Sequence, residues 1–146
     1  PLTVTNFEMT RFMMTLGDAV NLVFYALKNG NQGDIFVQKA PAARLGDIVS
    51  ALEIIFQKKI NVKNIGTRHG EKLYEDLVSG EELLRSKEIE TYFQIKMDIR
   101  NLKYENYLSD GTNKFLNLET YNSHNTKRLT KEEIIKLLKK SRLINV

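Results

Sequence analysis

The chain has 146 residues, 42% of them apolar, no cysteine and a formal net charge of +4, which suffices for one domain with a real core and excludes disulfides, thiolate metal sites and cysteine nucleophiles. The longest apolar run, residues 20–27 with Asn21 inside it, falls well short of the roughly 18 residues that cross a bilayer, so no membrane span is expected. The opening Pro1-Leu2-Thr3-Val4 has neither an initiator methionine nor the order of a signal peptide and reads as the start of an excised piece, while the lack of cysteine is compatible with a reducing cytoplasm.

In chain order, residues 16–28 set Ala19, Val20, Val23, Phe24 and Leu27 on one helical stripe, and Asn29-Gly30 supplies a stop, so a helix is predicted there. Residues 34–38 read as a short strand that ends near Pro41, because proline cannot donate to a ladder. A second helix over residues 45–58 would present Leu45, Ile48, Val49, Leu52, Ile55 and Phe56 to a core. Ile60, Val62 and Ile65 suggest another strand before the loop Gly66-Thr67-Arg68-His69-Gly70-Glu71-Lys72. Beyond it, residues 73–78 read as strand, 80–87 as a short polar helix and 91–97 as strand.

Residues 98–125 are rich in asparagine and tyrosine with little periodicity, and an extended surface arm at about 98–128 is expected. A terminal helix at about 130–142 opens with Thr130-Lys131-Glu132-Glu133, a spacing in which Thr130 and Glu133 satisfy orphan amides, and it aligns Ile134, Leu137 and Leu138. Residues 127–142 carry seven basic side chains against two acidic ones. With Glu132 and Glu133 interrupting them and no aromatic platform, they read as a solvated helix face rather than a nucleic-acid footprint.

Short strands alternating with amphipathic helices indicate an α/β unit, yet two or three strands make a poor independent sheet, so the piece is expected to pack against something else. The chain has no Gly-x-Gly-x-x-Gly after a strand and no Gly-x-x-x-x-Gly-Lys-Ser/Thr. A dinucleotide or nucleoside triphosphate would therefore be held elsewhere.

Arg68, bordered by Gly66 and Gly70, offers a planar fork of donors that matches phosphate oxygens. Glu71 can accept hydrogen bonds from a vicinal diol such as ribose. A charged surface loop is the alternative. Arg11 stands among Met9, Phe12, Met13 and Met14, residues that suit a core. A half-buried cation needs a partner: a ligand phosphate, or else Asp18 or Glu8. His69 and His124 are the two histidines, with no further ligand at metal spacing, so no metal site is expected. Ser123-His124 is no catalytic dyad by itself, and Tyr74, Tyr92, Tyr104, Tyr107 and Tyr121 suit interior packing more than ligand stacking.

Four stretches together carry a resemblance. They are Pro1-Leu2-Thr3-Val4-Thr5 with Met9-Thr10-Arg11-Phe12-Met13-Met14-Thr15 and Asp18-Ala19-Val20; Gly33 through Pro41, reading Gly-Asp-Ile-Phe-Val-Gln-Lys-Ala-Pro; Gly66 through Glu75; and Tyr121-Asn122-Ser123-His124-Asn125-Thr126. The chain resembles the carboxy-terminal half of the polysaccharide-biosynthesis branch of extended short-chain dehydrogenases/reductases. The best match is to inverting UDP-N-acetylglucosamine 4,6-dehydratases of capsule and O-antigen synthesis, and some relatives carry the name UDP-glucose 4-epimerase.

The resemblance implies a small α/β substrate-binding domain over residues 1–146 that packs on a Rossmann-type amino-terminal domain absent from this chain. That missing domain would bind NAD or NADP and hold the catalytic residues, leaving none in this chain. It further implies that Arg11 and Arg68 contact the diphosphate of a UDP-sugar, that Glu71 meets the ribose or adjoining phosphate region, and that Thr3 and Val4 lie near the uridine. Asn122, Ser123, His124 and Asn125 would form a closing segment over the active site or a subunit interface. The full enzyme would be a cytoplasmic homo-oligomer. A non-catalytic nucleotide-sugar or nucleic-acid binding module, and a purely structural role, remain the alternatives of another class.

Overall fold

The computed structural model describes residues 1–97 and 119–141. Their chain order is β1 (Leu2–Val4), β2 (Thr10–Phe12), α1 (Leu16–Asn29), β3 (Ile35–Gln38), β4 (Ala42–Arg44), α2 (Leu45–Phe56), β5 (Val62–Asn64), β6 (Asp76–Val78), α3 (Gly80–Leu84), β7 (Ser86–Ile89), β8 (Tyr92–Ile95), β9 (Tyr121–Asn122) and α4 (Lys131–Lys140). This is a mixed α/β fold in which no described sheet exceeds three strands.

The parallel pair β1 and β5 sets Leu2, Thr3 and Val4 beside Val62, Lys63 and Asn64. The antiparallel pair β2 and β4 sets Arg11 beside Ala43. The antiparallel triplet β3-β8-β7 is joined at one end by a two-residue turn, Glu90-Thr91, with Glu90 at φ 45°. β6 pairs with β9 through an irregular register between Asp76 and Val78. Residues 98–118, most of the expected arm, lie outside the described residues.

Three helices start with a reciprocal cap, a side chain accepting the third amide while the third acid accepts the cap amide: Thr15 with Asp18, Ser79 with Glu82, and Thr130 with Glu133. In α4 the basic Lys139 and Lys140 fall in the last turn, where the helix dipole favours cations.

The core lies where α2 crosses α4 over β4. Ala43, Ala51, Leu129 and Ile134 are buried together, with Met13, Ile48, Ile135, Leu137 and Leu138 packed around them. The chain segment before α4 is stitched to β4 by Ala42 N donating to Lys127 O at 2.9 Å and Leu129 N donating to Ala42 O at 2.9 Å. Alanines at 43 and 51 let the strand and helix backbones approach closely, and Ile134 fills the space between them.

The structure corrects several expectations. The predicted polar helix over 80–87 stops at Leu84, because Ser86–Ile89 pairs with β8 and the ladder outweighs helical preference. In α2, Phe56 points to solvent at 51% exposure, and the helix ends there on Gln57 in a left-handed conformation (φ 49°). The stripe on α1 forms as spaced, yet no residue of that helix is buried: Val23, Phe24 and Leu27 are 58, 65 and 76% exposed. Of the methionine cluster, Met9 is fully buried while Met14 is exposed. The described part of the arm is not all surface, since Ser123 is 0% exposed.

Asp34, before β3, ties the turn to the sheet. Its carboxylate accepts from Asn31 N at 3.0 Å, Gln94 Nε2 at 2.7 Å and Lys96 Nζ at 3.0 Å. The Asn31 amide first, then Lys96, hold its pKa down at about 2 against an ordinary 3.8. A depressed folded-state pKa means this contribution is complete above the unfolded value and fades as pH falls from about 4 towards 2. Asp34→Asn is therefore expected to lower the urea midpoint at pH 7 and to flatten its decline below pH 4, measured by circular dichroism. An unchanged pH slope would remove Asp34 from the account.

Candidate functional site

A groove of about 400 Å³ opens between the β1/β5 pair and α2. One wall is the strand run Leu2, Thr3, Val4 and Thr5; the other is Leu45, Ile48, Val49 and Leu52 on successive turns of α2. Ile65, Arg68 and Glu71 close one side of it. Apolar walls with a few polar groups at the rim are what a nucleoside-sized ligand requires, a slot for a flat ring and charge at its edge.

The loop at the rim owes its shape to two glycines. Gly66 and Gly70 sit at φ 77° and 78°, a region costly for side chains with a Cβ. Asn64 Oδ1 receives the Gly66 amide at 3.0 Å and starts the turn. Glu71 then braces it from within. One carboxylate oxygen accepts from Arg68 N at 3.1 Å, the other accepts from Thr5 Oγ1 at 3.1 Å, and Glu71 N donates to Arg68 O at 3.1 Å. Both Glu71 oxygens are thus engaged with protein, though a carboxylate keeps lone pairs for a further donor.

The Arg68 side chain is different. It is exposed on the groove wall, and among the described residues its guanidinium makes no hydrogen bond or ion pair. A permanently charged fork held on a braced loop beside an apolar slot has the chemistry to receive an anion.

Arg11 does not line the groove. It reaches across to the loop end, its guanidinium donating to Thr10 O at 2.8 Å, Lys72 O at 3.0 Å and Leu73 O at 3.4 Å. Its ion pairs are with Glu75 at 3.6 Å and Glu71 at 4.0 Å. Of the protein partners the sequence suggested, Asp18 instead caps α1 and Glu8 pairs with Arg44. Glu71 therefore joins the two arginines, touching Arg11 with one oxygen and the Arg68 backbone with the other.

Thr3, Val4, Arg68 and Glu71 are brought together on one groove, with Arg11 adjoining. The segment 122–125 does not line it. Asn122 Oδ1 accepts the amides of His124 and Asn125 at 2.8 and 3.0 Å, so the segment is a closed turn, and the His124 ring stacks on Tyr74 at 4.9 Å. Thr5, Glu75 and the α2 wall are parts of the site that sequence reading missed. Only α2 gave a signal, an apolar stripe wider than its core contact needs.

Anions favour free amides at helix starts, but α1, α3 and α4 are closed by their own caps. In α2 the Leu45 and Gly46 amides are spent on Met9 O at 2.9 Å and Phe7 O at 3.0 Å. The N3 and cap amides of three described helices and two amides at the start of the fourth are thus engaged within the protein. No group of three or more histidine, cysteine or acidic residues among them is placed to hold a metal, and no helix among them is long and apolar enough to cross a membrane.

Comparison with known proteins gives this geometry a context. The chain is 52% identical over 137 residues to a UDP-glucose 4-epimerase of Rickettsia rickettsii (strain Sheila Smith), covering 94% of this chain and 40% of that protein. It is 51% identical over 137 residues to the protein of the same name from Rickettsia akari (strain Hartford), with the same coverage. It therefore spans about 40% of the length of the curated relatives it matches. The solved structure of Pen from Bacillus thuringiensis superposes with a TM-score of 0.78 at 30% identity, over 99% of this chain and 41% of that one. A model described as polysaccharide biosynthesis protein, C-terminal, matches residues 98–145. With the model described as polysaccharide biosynthesis protein matching residues 1–97 of the 146, the chain belongs to the polysaccharide biosynthesis protein family.

Proposed function

We propose that this chain is the UDP-sugar-binding part of a nicotinamide-dependent enzyme that remodels the hexose of a nucleotide-sugar. The observation that carries the reading is the Arg68 guanidinium, without a partner among the described residues, on a braced glycine loop beside an apolar groove. The uracil and ribose would lie between β1 and α2 near Thr3 and Val4. Arg68 would meet the diphosphate, with Arg11 adding charge behind it and Glu71 setting the loop while offering a lone pair to the ribose.

NAD or NADP would bind outside this chain, in a Rossmann-type domain. That cofactor, when bound, accepts and returns a hydride. This chain's own residues would contribute binding energy from the non-reacting nucleotide, fixing where the hexose lies. The exposed apolar face of α1, with Val23, Phe24 and Leu27 open to solvent, suits burial against such a domain.

The names of the relatives favour 4-epimerisation, in which oxidation at C4 is reversed with the opposite stereochemistry. The sequence resemblance favours 4,6-dehydration with inversion at C5, in which water leaves across C5 and C6 after the same first step. Both use one nucleotide grip. The test is incubation of the complete polypeptide with UDP-glucose and with UDP-N-acetylglucosamine, followed by NMR of the products. A C4 epimer without loss of water supports the first, a 4-keto-6-deoxy sugar the second, and unaltered sugars with no UDP binding would reject both.

A further inference from the structure

Ser123 is fully buried, and its hydroxyl meets three polar atoms: Thr10 Oγ1 at 2.7 Å, Thr10 O at 3.1 Å and Glu75 N at 3.0 Å. Its own amide donates to Glu75 O at 2.9 Å. A serine hydroxyl has one proton and two lone pairs. The assignment that uses all three contacts has Ser123 donating to the Thr10 carbonyl while accepting from Glu75 N and from Thr10 Oγ1. Thr10 Oγ1, its proton given away, then accepts from His124 Nδ1 at 2.8 Å, which places a proton on that nitrogen.

The two residues Ser123 ties together are both among the partners of Arg11. Thr10 O receives the Arg11 guanidinium at 2.8 Å, and the Glu75 carboxylate pairs with Arg11 Nε at 3.6 Å. Arg11 in turn stands 4.0 Å from Glu71, whose other oxygen holds the Arg68 amide. The residues at 10, 75 and 123 come from three separate parts of the chain and meet at this hydroxyl.

We propose that Ser123 is a positioning residue for the anion site: acting through Thr10 and Glu75, it fixes the Arg11 guanidinium and, through Glu71, the loop that carries Arg68. The proposal rests on the diphosphate reading above. Loss of the hydroxyl would leave the apolar slot for the base intact while the charged end loosens. Affinity for UDP should then fall while affinity for uridine, which lacks the diphosphate, stays.

The experiment is calorimetric titration of UDP and of uridine into the complete polypeptide and its Ser123→Ala variant. The expected result is a UDP affinity lower by roughly 5- to 10-fold, the size of one ordinary hydrogen bond, with uridine changed less than about twofold. Thr10→Val, which keeps the shape and removes the other hydroxyl, should narrow the UDP-to-uridine ratio in the same direction, whereas Thr10→Ser should restore it. A Ser123→Ala or Thr10→Val protein with a lowered melting temperature but the wild-type ratio would overturn the proposal and leave the diphosphate site standing. A wild-type protein that prefers UDP no more than uridine would take down the diphosphate reading first, and this proposal with it.

Discussion

Arg68→Ala is expected to weaken UDP-sugar binding by roughly 10- to 100-fold, the range of a charge-assisted hydrogen bond to a phosphate, without lowering the melting temperature. The two halves of that expectation have one source. Arg68 is exposed and its guanidinium has no protein partner among the described residues, so its removal leaves no buried group unsatisfied and no cavity behind. The loop keeps its shape because the bracing runs through the Arg68 backbone, not its side chain. Arg68→Lys should recover only part of the affinity, since an ammonium offers a point charge in place of a two-pronged fork. Titration calorimetry and thermal unfolding on the same samples read both halves. Equal affinities in Arg68→Ala and the parent would take Arg68 out of the site.

Ile134→Ala is expected to have the opposite profile, a large loss of stability. Ile134 is 0% exposed and sits among Ala43, Ala51 and Leu129, where the neighbouring alanines have no side-chain length with which to fill a void. Truncation of a buried isoleucine costs about 2 to 5 kcal/mol, and the upper part of that range suits a site lined by helix backbone that cannot collapse. For a domain of this size that corresponds to roughly 5 to 15 °C in melting temperature. Leu27→Ala is the internal comparison. Its side chain is 76% exposed, and the change should stay within about 0.5 kcal/mol in this chain alone. Chemical denaturation of the three proteins settles the order, and a near-neutral Ile134→Ala would mean the α2/α4 contact is not the core.

The two variants separate what the sequence made readable from what it did not. Helices α1, α2 and α4 were legible because an apolar period repeated over ten or more residues cannot arise by accident of a turn. What the period does not say is which neighbour the stripe meets. The α1 stripe is exposed, whereas Leu45, Ile48 and Leu52 on α2, read as core, also line a groove. Strands β1, β2 and β4 are three residues each, too short for alternation to register, and their pairing is set by partners far along the chain.

The site divides the same way. Gly66, Arg68 and Gly70 announce themselves locally, because glycine is the residue that takes a positive φ most readily. Thr5 and Glu71, 66 residues apart, carry no local mark of their hydrogen bond. Nor does Ser123 signal that it closes on Thr10 from 113 residues away, and it read as surface because its flanking asparagines are polar. Those asparagines bond within their own turn, which leaves the serine free to point inward.

The central claim, that the groove between β1 and α2 takes the nucleotide, is met most directly by NMR shift mapping with UDP on the isotope-labelled polypeptide. Saturable amide shifts are expected at Thr3, Val4 and Thr5, along Leu45 to Leu52 and across Ile65 to Glu71, with the loop shifts absent when uridine replaces UDP. Shifts confined to other surfaces, or loop shifts equal for the two ligands, would contradict it.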